Sequence, residues 1–166
     1  WLTQSGTYLN DFVINGTGVT EASGNRGAIR FSGSTIAGDV DVASGPSTEM
    51  LGTKSTISGA LTGSPDLEVN FASSGTLNLT GDASAYTGTL VMNAGVLNVG
   101  ALGGGLEIYD GTVNLSGAVA GATSLFGGTL NLGDGVSLDT PTVNGGTLNL
   151  SSGSSVSGGI FTGNIS

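Results

Sequence analysis

Hydrophobic and polar residues alternate in a five-residue motif that recurs along the second half of the chain. Its form is Gly-(Thr/Val)-(Leu/Val)-Asn-(Leu/Val). The two aliphatic side chains point to one side and the Thr and Asn side chains to the other, which is typical of a half-buried β-strand. The copies occupy residues 75–79, 95–99, 111–115, 128–132 and 146–150.

The spacing of these copies favours one kind of fold. Successive motif glycines lie 20, 16, 17 and 18 residues apart, whereas strands in hairpin meanders return about every 8–12 residues. A second strand-like segment and a turn rich in Gly or Asn precede each downstream motif. This pattern predicts an all-β chain folded as a parallel β-solenoid with a repeat near 18 residues, in which about nine turns stack about 4.8 Å apart.

The repeat extends upstream in a less regular form. Residues 34–38 resemble residues 55–59, which follow 21 positions later. We therefore predict a single β-solenoid domain over residues 1–166, with irregular turns in 1–54 and regular turns in 55–166. Because residues 163–166 resemble a motif copy that stops within a strand, and no capping helix is visible, we expect the sequence to be a fragment of a longer repeat protein.

Composition and charge exclude several classes of function. The 166 residues include 12 acids, 3 bases, no histidine and no cysteine, and the formal net charge is −9. Without histidine or cysteine there is no Ser-His-Asp triad, disulfide framework or cysteine zinc site. The three bases, Arg26, Arg30 and Lys54, do not form the basic surface that nucleic acid requires, so we expect no nucleic-acid partner.

About 45 residues carry a resemblance to a known family. Residues 55–100 resemble the autotransporter-associated β-strand repeat of bacterial autotransporter passenger domains. The matching segments are Ser55-Thr56-Ile57-Ser58-Gly59, Gly75-Thr76-Leu77-Asn78-Leu79-Thr80-Gly81, Tyr86-Thr87-Gly88 and Asn93-Ala94-Gly95-Val96-Leu97.

The resemblance implies a right-handed parallel β-helix that is exported and passed through an outer-membrane barrel. The sequence contains neither the signal peptide nor the C-terminal barrel of that family, so we expect contact with the outer membrane only through missing domains. The expected location is extracellular or the bacterial cell surface.

The two outward columns of the motif are the candidate interaction face. Stacked Asn amides can bond along a solenoid, as in the Asn ladders of cross-β structures. Such a strip either stiffens and solvates the solenoid, pairs with its copy on another molecule, or binds a glycan. Val96 interrupts the Thr column. The predicted face consists of Thr76, Asn78, Asn98, Thr112, Asn114, Thr129, Asn131, Thr147 and Asn149.

Other chemistry has less support in the sequence. Asp39 and Asp41 lie on one side of a predicted strand, roughly 7 Å apart, which is within the range of inverting glycosidases. However, few groups are available to position a substrate, so surface solvation is the alternative. The calcium-binding nonapeptide repeat is not present. Tyr86, Tyr109 and Phe126 are predicted to be core residues at corners of the solenoid. We predict no catalytic residue, cofactor or metal.

The sequence thus favours a non-enzymatic segment of a bacterial surface protein, a rigid rod for adhesion or self-association. Its expected partners are copies of itself, with glycans or a host surface as further possibilities. The alternative is a structural filament, stalk or surface-layer subunit that stacks through its terminal turns. A polysaccharide-active enzyme is the third interpretation. Self-association is expected to strengthen with salt, because salt screens the repulsion between acidic rods.

Overall fold

The computed structural model describes residues 5–21, 24–25, 27–44 and 48–166. Those residues form a parallel β-solenoid of about seven turns with a repeat near 18 residues, and there is no α-helix among them. The predicted fold class is confirmed. Residues 1–4, 22–23, 45–47 and Arg26, which belong to the predicted domain, lie outside the described residues.

The strands are short, and most contain two to five residues. In the first half they are β1 (Thr7–Tyr8), β2 (Phe12–Asn15), β3 (Thr20–Glu21), β4 (Gly24–Asn25), β5 (Ile29–Arg30), β6 (Thr35–Ile36), β7 (Val40–Ser44), β8 (Thr48–Ile57), β9 (Leu61–Gly63) and β10 (Leu67–Leu79). The second half contains β11 (Thr89–Ala94), β12 (Val96–Val99), β13 (Gly105–Ile108), β14 (Thr112–Leu115), β15 (Thr123–Leu125), β16 (Thr129–Leu132), β17 (Ser137–Asp139), β18 (Thr142–Val143), β19 (Thr147–Leu150), β20 (Ser155–Ser157), β21 (Ile160–Phe161) and β22 (Asn164–Ile165).

Three faces run along the solenoid. Face 1 contains β5, the first half of β8 and of β10, then β11, β13, β15, β18 and β21. Face 2 contains β1, β6, the second half of β8 and of β10, then β12, β14, β16, β19 and β22. Face 3 contains β2, β7 and β9, single bridges at Ala83, Tyr86, Leu102 and Val119, and the pair β17–β20.

The number of turns is slightly below the predicted nine. Face 2 has strands from β1 to β22, but in the described residues only the turns from β5 to β20 are represented on all three faces. The first and last strands of face 2 belong to partial turns, and this accounts for the difference. In the irregular first half, the antiparallel pair β3–β4 is inserted between β2 and β5.

Aliphatic columns form the core. On face 2, Ile57, Leu79, Val99, Leu115 and Leu132 are in register and buried. Each such side chain contributes about 1.5–3 kcal/mol when it is removed from water. This stacking orients face 2 with its Leu and Val positions inward and its Thr and Asn positions outward.

The motif glycines form a column at the corner before face 2. Gly111 and Gly128 have φ angles of 82° and 65°, a left-handed conformation that side chains disfavour. A Cβ on Gly128 would also lie 2.5 Å from the carbonyl oxygen of Gly111 in the turn below. The tight corner therefore requires glycine for two independent reasons. No helix in the described segments is long and apolar enough to cross a membrane.

Candidate functional site

Face 2 brings the predicted Thr and Asn residues together in two straight columns. The strands β12, β14 and β16 alternate half-buried and buried positions, and their parallel pairing has no register shift. The Thr column contains Thr76, Val96, Thr112, Thr129 and Thr147, and the Asn column contains Asn78, Asn98, Asn114, Asn131 and Asn149. We call these two columns over five rungs the Thr/Asn face.

The Asn side chains form a continuous amide ladder. Nδ2 of Asn98 donates to Oδ1 of Asn78 at 2.7 Å. The same 2.7 Å bond joins Asn114 to Asn98, Asn131 to Asn114, and Asn149 to Asn131. At the start of the ladder, Nδ2 of Asn78 lies 3.5 Å from the carbonyl oxygen of Ser55. Every donor thus points toward the earlier turn, and all five amides have one common orientation.

The ladder uses only part of the hydrogen-bonding capacity of each amide. An Asn side chain has two N–H donors and a carbonyl oxygen with two lone pairs, and within the ladder Asn114 gives one donor and one lone pair to its neighbours. All five amides are half-buried. The remaining polar capacity is uncharged, and the bonds along the axis restrict side-chain rotation.

The Thr column differs from the Asn column in its hydrogen bonding. The hydroxyls of Thr76, Thr112, Thr129 and Thr147 have no hydrogen-bond partner within the described segments, and these side chains are half-buried. They therefore present free hydroxyl groups to solvent at regular intervals. Val96 takes the place of one threonine and has nearly the same shape.

A groove that the sequence analysis did not identify runs beside the Asn column. It has a volume of about 480 Å³ and lies where each turn leaves face 2. Its walls combine Asn98, Asn114 and Asn131 with small polar residues such as Ser116 and Ser151. The signal in the sequence is the small residue that follows each motif, which leaves space above the buried Val and Leu side chains.

The Thr/Asn face carries no charge, although the molecule is strongly acidic. Its columns contain only Thr, Val and Asn. Lys54 precedes Thr76 in the register of the Thr column. Acids project elsewhere: Glu68 and Glu107 lie half-buried on face 1, and Asp82 is exposed after the corner that follows face 2. The charge distribution thus leaves this face as the neutral side of the rod.

Two aromatic residues predicted to be in the core are on the surface instead. Tyr109 and Phe126 are 50% and 40% exposed, and their rings stack with centroids 4.9 Å apart and planes at 18°. The corner between faces 1 and 2 turns outward at these positions, so the prediction was wrong for both. Each ring therefore covers one face of the other, and the pair remains partly exposed.

Tyr86, by contrast, is fully buried, and the prediction of a core position is confirmed. Its single hydroxyl proton is shared between the carbonyl oxygens of Pro65 at 2.7 Å and Thr89 at 3.1 Å. Burial raises the pKa of the Tyr86 hydroxyl, with a further contribution from the charge of Asp66. At the surface, the charge of Glu107 raises the pKa of Tyr109, whose hydroxyl donates to that carboxylate at 3.2 Å.

The two carboxylates considered for catalysis have structural contacts. Oδ1 of Asp39 accepts the backbone N–H of Ala60 at 2.8 Å, and Oδ1 of Asp41 accepts the hydroxyl of Thr62 at 3.0 Å. Both bonds link one turn to the next. Within the described ranges, no group of three or more acidic residues could hold a metal ion.

Comparison of the chain with protein-family models, with curated proteins and with solved structures finds no match. The resemblance to autotransporter passenger domains therefore depends on the motif residues alone.

Proposed function

We propose that the chain is a non-enzymatic rod that associates laterally with a second copy of itself through the Thr/Asn face. The observation that carries the proposal is the neutral face on a rod with a net charge of −9. Two such rods repel each other over most of their surfaces. The Thr/Asn face is the side on which they can approach without bringing carboxylates together.

The geometry of the face suits pairing with an identical face. Each half-buried Asn retains an N–H donor and a lone pair, and each Thr hydroxyl both donates and accepts. Identical faces are thus complementary, as an isologous dimer requires. Because the ladder already orders the amides, association costs less side-chain entropy than it would for free Asn residues.

The size of the face predicts a weak interaction. Five rungs at about 4.8 Å, and two columns about 7 Å apart, give an area on the order of 170 Å² on each rod. Stable protein interfaces bury about 800 Å² on each partner. We therefore expect association at high protein concentration, and salt above about 0.1 M to strengthen it by screening the acidic faces.

Sedimentation velocity across protein concentration and salt tests this proposal. Asn114→Asp places a charge within the ladder, and we expect it to weaken association. Asn144→Asp is the matched control, because it adds the same charge at an exposed corner outside the face. A monomer at every concentration, or equal effects of the two variants, would contradict lateral pairing.

End-to-end stacking is a second candidate. Ile160 and Ile165, in the last described turn, are 62% and 48% exposed. A further turn of a β-solenoid stacked on this end would cover them. In that case the double variant Ile160→Asp/Ile165→Asp reduces association, whereas Asn114→Asp has little effect. A bacterial surface location and an adhesive role are further parts of the proposal, supported by the sequence resemblance.

A further inference from the structure

The Thr/Asn face is also a two-dimensional grid of fixed polar groups. Along the solenoid, equivalent side chains repeat about every 4.8 Å, and across a strand the Thr and Asn columns lie about 7 Å apart. The register is continuous from Thr76 to Thr147 and from Asn78 to Asn149. From this geometry we propose that the Thr/Asn face binds ice, with crystalline water as its ligand.

The spacing of the grid is the first argument. Its two repeats are close to the oxygen repeats on the prism planes of hexagonal ice. Waters that bond the hydroxyls and amides of successive rungs therefore lie near lattice positions of the crystal. An irregular polar surface has no such correspondence and orders water only locally.

The rigidity of the grid is the second argument. The inward residues Leu97, Val113 and Leu130 are almost fully buried, which fixes the backbone beneath the face. The 2.7 Å bonds of the ladder fix the amides above it. A mobile surface would lose conformational entropy on binding a crystal, whereas this face has already lost that entropy on folding.

The composition of the grid is the third argument. The hydroxyls of Thr112, Thr129 and Thr147 have no partner in the residues that the structure describes, and each threonine adds a methyl group. No charged side chain lies in the five rungs. Charged groups hold tightly bound hydration shells that do not fit a crystal lattice, and Glu68, Glu107 and Asp82 lie outside the Thr/Asn face.

Ice binding does not depend on lateral self-association. It needs one free face, and pairing of two faces would compete with it. Ice-binding assays at concentrations where sedimentation shows a monomer therefore separate the two proposals. If sedimentation shows only monomers and the protein still binds ice, lateral self-association alone is overturned.

Thermal hysteresis and the shaping of single ice crystals, measured on the purified chain, test the inference. We expect faceted crystals and thermal hysteresis that grows with protein concentration. Thermal hysteresis is the gap between the melting and freezing temperatures, called the freezing gap below. Thr129→Tyr places a bulky side chain in the grid and should remove most of the gap. Thr142→Tyr is the matched control, because it changes a half-buried threonine on face 1 and should leave the gap intact.

A gain-of-function variant keeps the test independent of folding defects. Val96→Thr completes the Thr column and should widen the gap relative to the unmodified protein. Unshaped crystals and no freezing gap at any concentration would overturn the inference. Equal losses in Thr129→Tyr and Thr142→Tyr, or no loss in Thr129→Tyr, would overturn it as well.

Discussion

Nδ2 of Asn114 donates to Oδ1 of Asn98 at 2.7 Å, although the two residues are 16 positions apart in the sequence. The bond links consecutive turns of the solenoid through side chains, in addition to the backbone ladder between β12 and β14. Asn114 also accepts a bond from Asn131. An interior member of the ladder thus holds three turns together.

Loss of an interior amide should cost more stability than loss of a terminal one. Asn114→Ala removes two side-chain bonds and Asn149→Ala removes one, and each such bond contributes about 0.5–1.5 kcal/mol. We expect the free energy of unfolding to fall about twice as far in Asn114→Ala. Urea denaturation measures it, with Asn144→Ala as the exposed control. Equal losses at residues 114 and 144 would show that the ladder adds nothing.

The glycine column at the corner predicts that its glycines tolerate substitution less well than a glycine outside the column. Gly128→Ala puts a Cβ 2.5 Å from the carbonyl oxygen of Gly111, at a φ of 65°, and should destabilise the fold by about 2 kcal/mol or more. Gly100→Ala meets no atom within 4 Å and should be nearly neutral. Thermal unfolding of the two variants tests the difference, and similar melting temperatures would contradict it.

Two buried serines interrupt the aliphatic core. Ser55 is in register with Leu77, and the hydroxyls of Ser34 and Ser55 have no hydrogen-bond partner among the residues that the structure describes. A buried hydroxyl without a partner costs about 1–3 kcal/mol, so Ser55→Ala should stabilise the protein. Ser58→Ala is the control, since its hydroxyl donates to the carbonyl oxygen of Ile36 at 3.3 Å. A loss of stability in Ser55→Ala would indicate that its hydroxyl is hydrogen-bonded in solution.

The raised pKa of the Tyr86 hydroxyl predicts a loss of stability at alkaline pH. Burial raises the pKa of its hydroxyl above the ordinary value of 10.0, so the folded state holds the proton more tightly than the unfolded state. The resulting stabilisation is complete below pH 10 and declines as the pH rises toward the folded-state pKa. Urea denaturation from pH 8 to pH 11 should show this decline, with about 10 as the pH where it begins.

Tyr86→Phe provides the comparison for that pH dependence. The variant lacks the ionisable group and leaves the carbonyl oxygens of Pro65 and Thr89 without its hydroxyl. It should therefore be less stable at neutral pH and show a flatter decline above pH 10. Parallel alkaline curves for the two proteins would assign the decline to other groups.

The predictability of the molecule differs between face 2 and the corners. The alternation in residues 75–79 and its copies predicts the inward and outward sides of face 2, because a strand has a period of two. The near-constant spacing predicts stacked turns. For Tyr109 and Phe126, however, no period indicates direction, since a turn residue projects according to the local backbone. The prediction that these two side chains are buried was therefore wrong.

The sequence by itself determined the repeat, the β-solenoid and the membership of the Thr and Asn columns, because these follow from local alternation and from the distance between copies. Only the tertiary structure decided the common direction of the amides, the groove beside Asn114 and the exposure of Tyr109. Each of these depends on atoms from turns 16 to 20 residues apart. Such contacts exist only when the turns are stacked in register. The residues of a single turn do not specify which atoms of the neighbouring turns they contact.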